Sequence, residues 1–276
     1  RFLLWSLLWS LLVMAMAGPR WDYTDVRLFH PGNNLLILLD ISRSMQVGDT
    51  PPNRLARARQ EIQDLIQQNH QVRLGLIAFA SVPHVLLPIT EDNQALLNTL
   101  PALSTDLTQL QGSRLLGALD RAETLLKGLP EDSARAILLI SDGDFDEQGL
   151  EERVRDLAAA GIHLHALGIG SEEGGPVPSR GGGWLTDRSG QAIVSRLDEK
   201  RLERLAEAGG GLYRRADYRE DDTAALLEAS ALARLPAAAG DERTRIWNER
   251  FYLPLVLGMA LLLPRFRGRA GWRRKL

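Results

Sequence analysis

Asp40, Ser42 and Ser44 occupy alternate positions in Asp40-Ile41-Ser42-Arg43-Ser44, directly after the apolar run Leu35–Leu39. Alternate residues of an extended segment point the same way, so one carboxylate and two hydroxyls can converge on one point. These are hard oxygen donors and they suit Mg²⁺, which prefers octahedral oxygen coordination and keeps some of its water. A second carboxylate, Asp142, follows another apolar run, Ala136–Ile140, in Ser141-Asp142-Gly143-Asp144. Ser113, after Gly112 and before a helical pattern with Leu115, Leu116 and Leu119, offers a third hydroxyl. Each feature also has a plainer use: a serine-rich turn, a turn aspartate before glycine, a helix N-cap. Their shared position just beyond apolar strands favours the metal site.

Other chemistries find less support. A phosphatase of the haloacid-dehalogenase type needs a second aspartate two residues after the first, and Ser42 stands there. A metal hydrolase needs a general base. His163 and His165 fall inside the strand pattern Ile162–Leu167 and read as packed or solvent-facing strand residues, while His30, His70 and His84 lack metal-ligand spacing. Gly168-Ile169-Gly170 is a weak nucleotide-binding signal, and Glu172 and Glu173 just after it would repel a phosphate. The chain has no cysteine, which removes disulfides, thiolate zinc sites and cysteine nucleophiles together. The expectation is a binding module and not an enzyme, with a metal-dependent hydrolase or a membrane scaffold carrying a vestigial site as the alternatives.

Positioning these residues requires a sheet whose strands end at one edge. From Asn33 to about Pro236 apolar runs alternate with amphipathic stretches. Strands are expected at 35–39, 72–79, 136–140, 162–167 and near 212–215. Helices are expected at 53–68, 92–100, 113–126, 147–160, 198–208 and about 220–235. In the first helix Leu55, Ala58, Ile62, Leu65 and Ile66 share a face. His84–Ile89 is bracketed by Pro83 and Pro88, which confines it to a sheet edge. Asp187-Arg188-Ser189-Gly190 marks a β-hairpin excursion before the Asp198 helix. The fold class is α/β, a doubly wound, mostly parallel sheet with one antiparallel edge strand. Ligands of such sheets bind beyond the carboxyl ends of the strands, where strand order reverses.

The two ends differ from this middle. Phe2–Ala17 is apolar except for Ser6 and Ser10, so residues 1–18 are expected to form a transmembrane helix. A cleaved signal peptide ending near Ala15-Met16-Ala17 is the rival. The chain opens with Arg1 and not Met, which raises the expectation of a missing upstream part. A second span is expected at 247–264, followed by a basic tail at 265–276 with six arginines and lysines and no acid. The rest of the chain then carries 27 basic and 35 acidic residues, a net of −8 within an overall −2. That acidic body excludes nucleic acid as the partner. By the positive-inside rule the tail is cytoplasmic, and one crossing each way places the middle of the chain on the exterior or periplasmic side.

The order D-x-S-x-S, then Gly112-Ser113 before a helix, then Ser141-Asp142-Gly143 after a later strand, resembles the metal-ion-dependent adhesion site of von Willebrand factor A-type (VWA) domains. The resemblance covers Asn33 to about Pro236. Ala17-Gly-Pro-Arg-Trp21, Ser195-Arg-Leu-Asp198 and the stretch Leu205 to Tyr213 are similar to membrane-bound bacterial VWA proteins of the Bat aerotolerance type (BatA/BatB), encoded near MoxR-type AAA+ ATPases. It implies Mg²⁺, with Mn²⁺ as the alternative, at Asp40, Ser42, Ser44, Ser113 and Asp142. Many VWA domains have threonine as the fourth ligand, and Thr105 and Thr108 are the nearby alternatives to Ser113. An Asp or Glu carboxylate of a partner protein would complete the coordination, with Arg43 at the rim of the contact. The implied partners are other Bat-type VWA proteins and a MoxR-type ATPase, at a bacterial inner membrane, in a stress-response role.

Overall fold

The computed structural model describes residues 2–18, 20–27, 32–69, 72–108, 110, 112–130, 133–216, 243–250 and 252–267. The first elements are α1 (Phe2–Met16), β1 (Arg20–Arg27), β2 (Asn33–Asp40), α2 (Arg54–Gln68), β3 (Val72–Phe79), β4 (Pro83–Thr90), α3 (Asn93–Thr99) and α4 (Leu115–Lys127). They are followed by β5 (Arg135–Ser141), α5 (Leu150–Ala159), β6 (Ile162–Gly168), β7 (Gly175–Pro176), β8 (Val194–Ser195), α6 (Glu199–Ala208) and β9 (Gly210–Arg215). The last are β10 (Arg243–Glu249) and α7 (Tyr252–Arg267). The chain divides into two units, Arg1–Phe29 with Ala238–Leu276, and His30–Ala237. The helix expected at about 220–235 and the tail residues 268–276 lie outside the described residues.

The larger unit holds a six-stranded sheet in the order β4-β3-β2-β5-β6-β9. All neighbours are parallel except β3 and β4. Along β2, Leu35, Ile37 and Leu39 enter a core with α2, while Leu36 and Leu38 enter a second core with α4 and α5. The continuous apolar run therefore serves a strand buried on both faces. The chain leaves β2 through α2 to reach β3 on one side, and later returns through α4 to β5 on the other. The strand order thus reverses between β2 and β5, the strands that carry Asp40 and precede Asp142. β4 is the expected antiparallel edge strand, where Pro83 and Pro88 can sit without leaving a central ladder bond unmade.

Helix starts follow from their caps. Asn53 accepts from the Ala56 N–H at 2.8 Å and Asp92 from the Ala95 N–H at 3.0 Å. α5 begins at Leu150, three residues after the expected Glu147. Glu147 instead turns its carboxylate to the Leu116 N–H at the start of α4, at 2.9 Å. Between β6 and α6 the expected hairpin forms, with β7 antiparallel to β8 and the Asp187 N–H donating to the Gln191 carbonyl at 2.9 Å.

In the smaller unit β1 pairs antiparallel with β10, a ribbon the sequence reading missed, and α1 packs against α7. The second terminal helix starts at Tyr252 rather than at residue 247, because Trp247–Glu249 are taken up in β10. Among the described residues no helix is long and apolar enough to cross a membrane. α1 has 15 residues and α7 has 16, about 22–24 Å of helix against a hydrocarbon core of roughly 30 Å.

His165 is a packed strand histidine, 3% exposed, whose Nδ1 accepts from the Leu212 N–H at 3.0 Å and so ties β6 to β9. Burial, reinforced by His163, pushes its pKa down to about 4. The unfolded chain takes up this proton near pH 6.5 while the folded chain does not, so the contribution is intact above 6.5 and is lost as pH falls toward 4. Wild type is expected to lose roughly 3 kcal/mol more stability than His165→Asn between pH 7 and pH 4. Parallel denaturant titrations across that range check it, and identical slopes would refute it.

Candidate functional site

Parallel pairing places Leu39 opposite Ile140, so Asp40 and Ser141 sit at the same level at the carboxyl ends of β2 and β5. Asp40 is fully buried. Its Oδ2 accepts from the Ser141 hydroxyl at 2.7 Å and from the Ser113 hydroxyl at 3.0 Å, and its Oδ1 accepts from the Ser42 N–H at 2.8 Å. After Asp40 the chain does not stay extended. Ser42 is extended, but Arg43–Gln46 form a 3₁₀ turn. The convergence expected from simple alternation still occurs, with the Ser42 and Ser44 hydroxyls 3.0 Å apart. Arg43, in the first turn, is half-buried.

Ser113 is not the cap of α4. Arg114 holds that position without a side-chain bond, and Ser113 faces Asp40 instead. Thr105 takes the Gln46 amide and Thr108 donates to the Leu110 carbonyl at 2.7 Å. Asp142 uses one oxygen in a local turn, Oδ1 accepting from the Asp144 N–H at 3.2 Å. Gly143 follows at φ +81°, where a Cβ would lie 2.8 Å from the Asp198 carbonyl. The turn reading therefore holds for this aspartate, and its other oxygen stays available for longer-range contacts.

Asp142 also meets a residue that the sequence reading passed over. Arg54, the first residue of α2, is fully buried, and its Nη1 lies 2.7 Å from Asp142 Oδ2. Its remaining donors reach both oxygens of Asp49 at 2.9 and 2.7 Å, the Ser195 hydroxyl at 2.9 Å and the Ser195 carbonyl at 3.1 Å. Gly170 explains itself here. At φ +140° it lets Arg54 pack where a Cβ would stand 2.9 Å from Nε, while Gly168 makes room for the Tyr213 ring, so the two glycines serve side-chain packing. The only sequence signal for Arg54 was a charge beside the apolar face of α2.

Burial, then the neighbouring Asp142, pushes the Asp40 carboxyl up to about 7, against the bonds from Ser42 and Ser141 that favour its charge. Among the described residues no group of three or more His, Asp or Glu gathers as a metal cluster. The donors here are two carboxylates and several hydroxyls, a set whose chemistry fits a small hard cation. A cation would also offset the repulsion that holds Asp40 up.

Residues 35–144 match the family profile of the von Willebrand factor type A domain. The chain is 32% identical to an aerotolerance-related membrane protein from Bacteroides fragilis, covering 71% of this chain and 98% of that one with a TM-score of 0.68. The chain belongs to the Bat-type von Willebrand factor A family. BatB from Bacteroides thetaiotaomicron is similar at 33% identity, with 72% and 98% covered and a TM-score of 0.68. A UPF0353 protein from Mycolicibacterium paratuberculosis is 26% identical over 208 residues, 73% of this chain. The match spans 60% of that relative's length.

The raised Asp40 pKa has a consequence for the metal-free VWA domain. Its folded value lies above the unfolded 3.8, so the favourable contribution is present at low pH and is lost as pH rises through about 7. Asp40→Asn should therefore be more stable than wild type at pH 8 without metal, by on the order of 2 kcal/mol, and the gap should close near pH 4. Chemical denaturation in chelator at both pH values measures it. A variant less stable at pH 8 contradicts the account.

Proposed function

We propose that this chain is a Mg²⁺-dependent protein-docking module, held at a bacterial inner membrane by its helical ends, and that it performs no catalysis. The observation that carries this reading is the buried Asp40 beside Asp142, with the hydroxyls of Ser42, Ser44, Ser113 and Ser141 gathered at the same sheet edge. Asp40, Ser42, Ser44, Ser113 and Asp142 would hold Mg²⁺ or Mn²⁺ there. When bound, the metal supplies a Lewis-acidic anchor for one carboxylate of a partner protein. The chain's own residues do the rest. The Ser42 N–H and the Ser113 and Ser141 hydroxyls fix Asp40, Arg54 fixes Asp142, and Arg43 stands at the rim for a partner's acidic surface. His165 supports the non-catalytic reading, since it lies three residues short of the strand end with Nδ1 already engaged by a backbone N–H. By family resemblance, the partners are other Bat-type proteins and a MoxR-type AAA+ ATPase presenting an Asp or Glu.

Metal binding is expected to stabilise only the folded state. At a hundred times its dissociation constant Mg²⁺ should add about 2.7 kcal/mol and raise the melting temperature accordingly. Asp40→Ala and Asp142→Ala should show no such shift and should lose a Mg²⁺-dependent, chelator-sensitive complex with a purified Bat-type partner. An unchanged wild-type melting point in millimolar Mg²⁺ and Mn²⁺ would sink the assignment.

The membrane reading rests on the terminal helices, whose exposed side chains include Phe2, Leu3, Trp5 and Trp9 on α1 and Leu255, Val256, Leu257 and Met259 on α7. Helices this short match a bilayer by local thinning, with tryptophan at the interface. Reporter fusions at Leu276 and within residues 181–183 should report opposite sides of the membrane, the internal one exterior. A cytoplasmic signal from the internal fusion rules the orientation out.

A further inference from the structure

We infer that Arg54 is a built-in counter-cation of the proposed metal site, a positioning residue that lowers the affinity for the metal and keeps the loaded site receptive to a carboxylate. The inference rests on the metal-binding reading above.

Arg54 makes a charge contact with a candidate ligand itself, since its Nη1 is 2.7 Å from Asp142 Oδ2, with both side chains fully buried. Its fork is used completely. Nε, Nη1 and Nη2 together make five hydrogen bonds to Asp49, Asp142 and Ser195. An arginine keeps its charge at any physiological pH, so this positive charge is permanent. A fixed cation on a shared carboxylate opposes the entry of a second cation, and burial leaves that opposition poorly screened.

The local charges show what the arrangement achieves. Arg54 contacts Asp49 and Asp142, and Asp40 stands beside Asp142; with all three carboxylates ionised the group carries a net of −2, which a divalent ion brings to zero. Without Arg54 the same site would be −3 and would remain anionic when loaded, repelling the carboxylate it is proposed to bind. Arg54 thus trades metal affinity for anion affinity. Ser195 fixes the geometry of the trade. Its hydroxyl accepts from Arg54 at 2.9 Å and donates to Asp142 at 3.3 Å, and it closes the hairpin in β8. Asp49 holds the other side of the guanidinium and is itself held by the Ser171 N–H at 2.8 Å.

A residue that merely clamps loops and a residue that sets charge differ in sign. Calorimetric titration of the full chain with Mg²⁺ alone, and with Mn²⁺ alone, compares wild type with Arg54→Gln and Asp49→Asn. Removing the positive charge should tighten metal binding by at least about tenfold, although the metal-free melting temperature falls. Removing the Asp49 carboxylate should weaken binding severalfold. A clamp would weaken both. Arg54→Gln binding no more tightly than wild type, or Asp49→Asn binding more tightly, overturns the inference. If Arg54→Gln does not fold, Arg54→Lys decides, since it keeps the charge and loses the fork of five hydrogen bonds: affinity within about twofold of wild type supports the charge role, and markedly weaker binding overturns it. If wild type binds neither ion, the metal reading fails and takes this inference with it. If wild type binds and the variants do not diverge, only the role of Arg54 fails.

Discussion

Two carboxylates at the ends of neighbouring parallel strands, both sealed from water, set the terms for the rest of the larger unit. Asp40 and Asp142 sit where β2 and β5 end side by side. Burying like charges together is costly unless each finds donors. Asp40 is compensated by hydroxyls and one backbone N–H, and Asp142 by a guanidinium. The difference matters. Hydroxyls can rotate to present lone pairs to an incoming ion, whereas a guanidinium can only donate. The Asp40 side of the site can therefore accommodate a cation, while the Asp142 side is already held by one.

That constraint explains features with no obvious local purpose. Gly170 makes room for Arg54, and Gly143 allows the chain to turn beneath the Asp198 carbonyl. The hairpin between β6 and α6 looks like a surface decoration in sequence, yet its base delivers Ser195 into the buried network. Glu147 leaves α5 to satisfy the start of α4, the helix that follows Ser113. These contacts join loops after β2, β5 and β6 at one edge.

The smaller unit obeys a different rule. α1 and α7 expose apolar side chains on much of their surface and pack on each other, and β1 with β10 extends the pairing of the two chain ends. A ribbon between chain segments more than 200 residues apart adds an ordered connection where sequence reading expected only two separate spans. Its residues, Arg20–Arg27 and Arg243–Glu249, are highly charged and lack a clean alternating pattern.

The sequence by itself determined most elements of the larger unit and the order of the chemistry. Apolar runs such as Leu35–Leu39 have one good solution, a strand buried on both faces, and the helical spacing of Leu55, Ala58, Ile62 and Leu65 has another, because these patterns express local periodicity. The family resemblance was legible for the same reason, since D-x-S-x-S and Ser-Asp-Gly are short contiguous strings. Ser113, Thr105 and Thr108 were alternatives for the fourth metal ligand; the fold brings the Ser113 hydroxyl to Asp40, while Thr108 donates to the Leu110 carbonyl. Ser141 could be read only as a strand end, and Arg54 only as one charge among many on a helix. Their partners lie 101 and 88 residues away, and such contacts exist only once β2, β5 and α2 have been brought together. Tertiary structure alone decides long-range electrostatics of this kind, because a charge is defined by what surrounds it and the surroundings come from the whole fold.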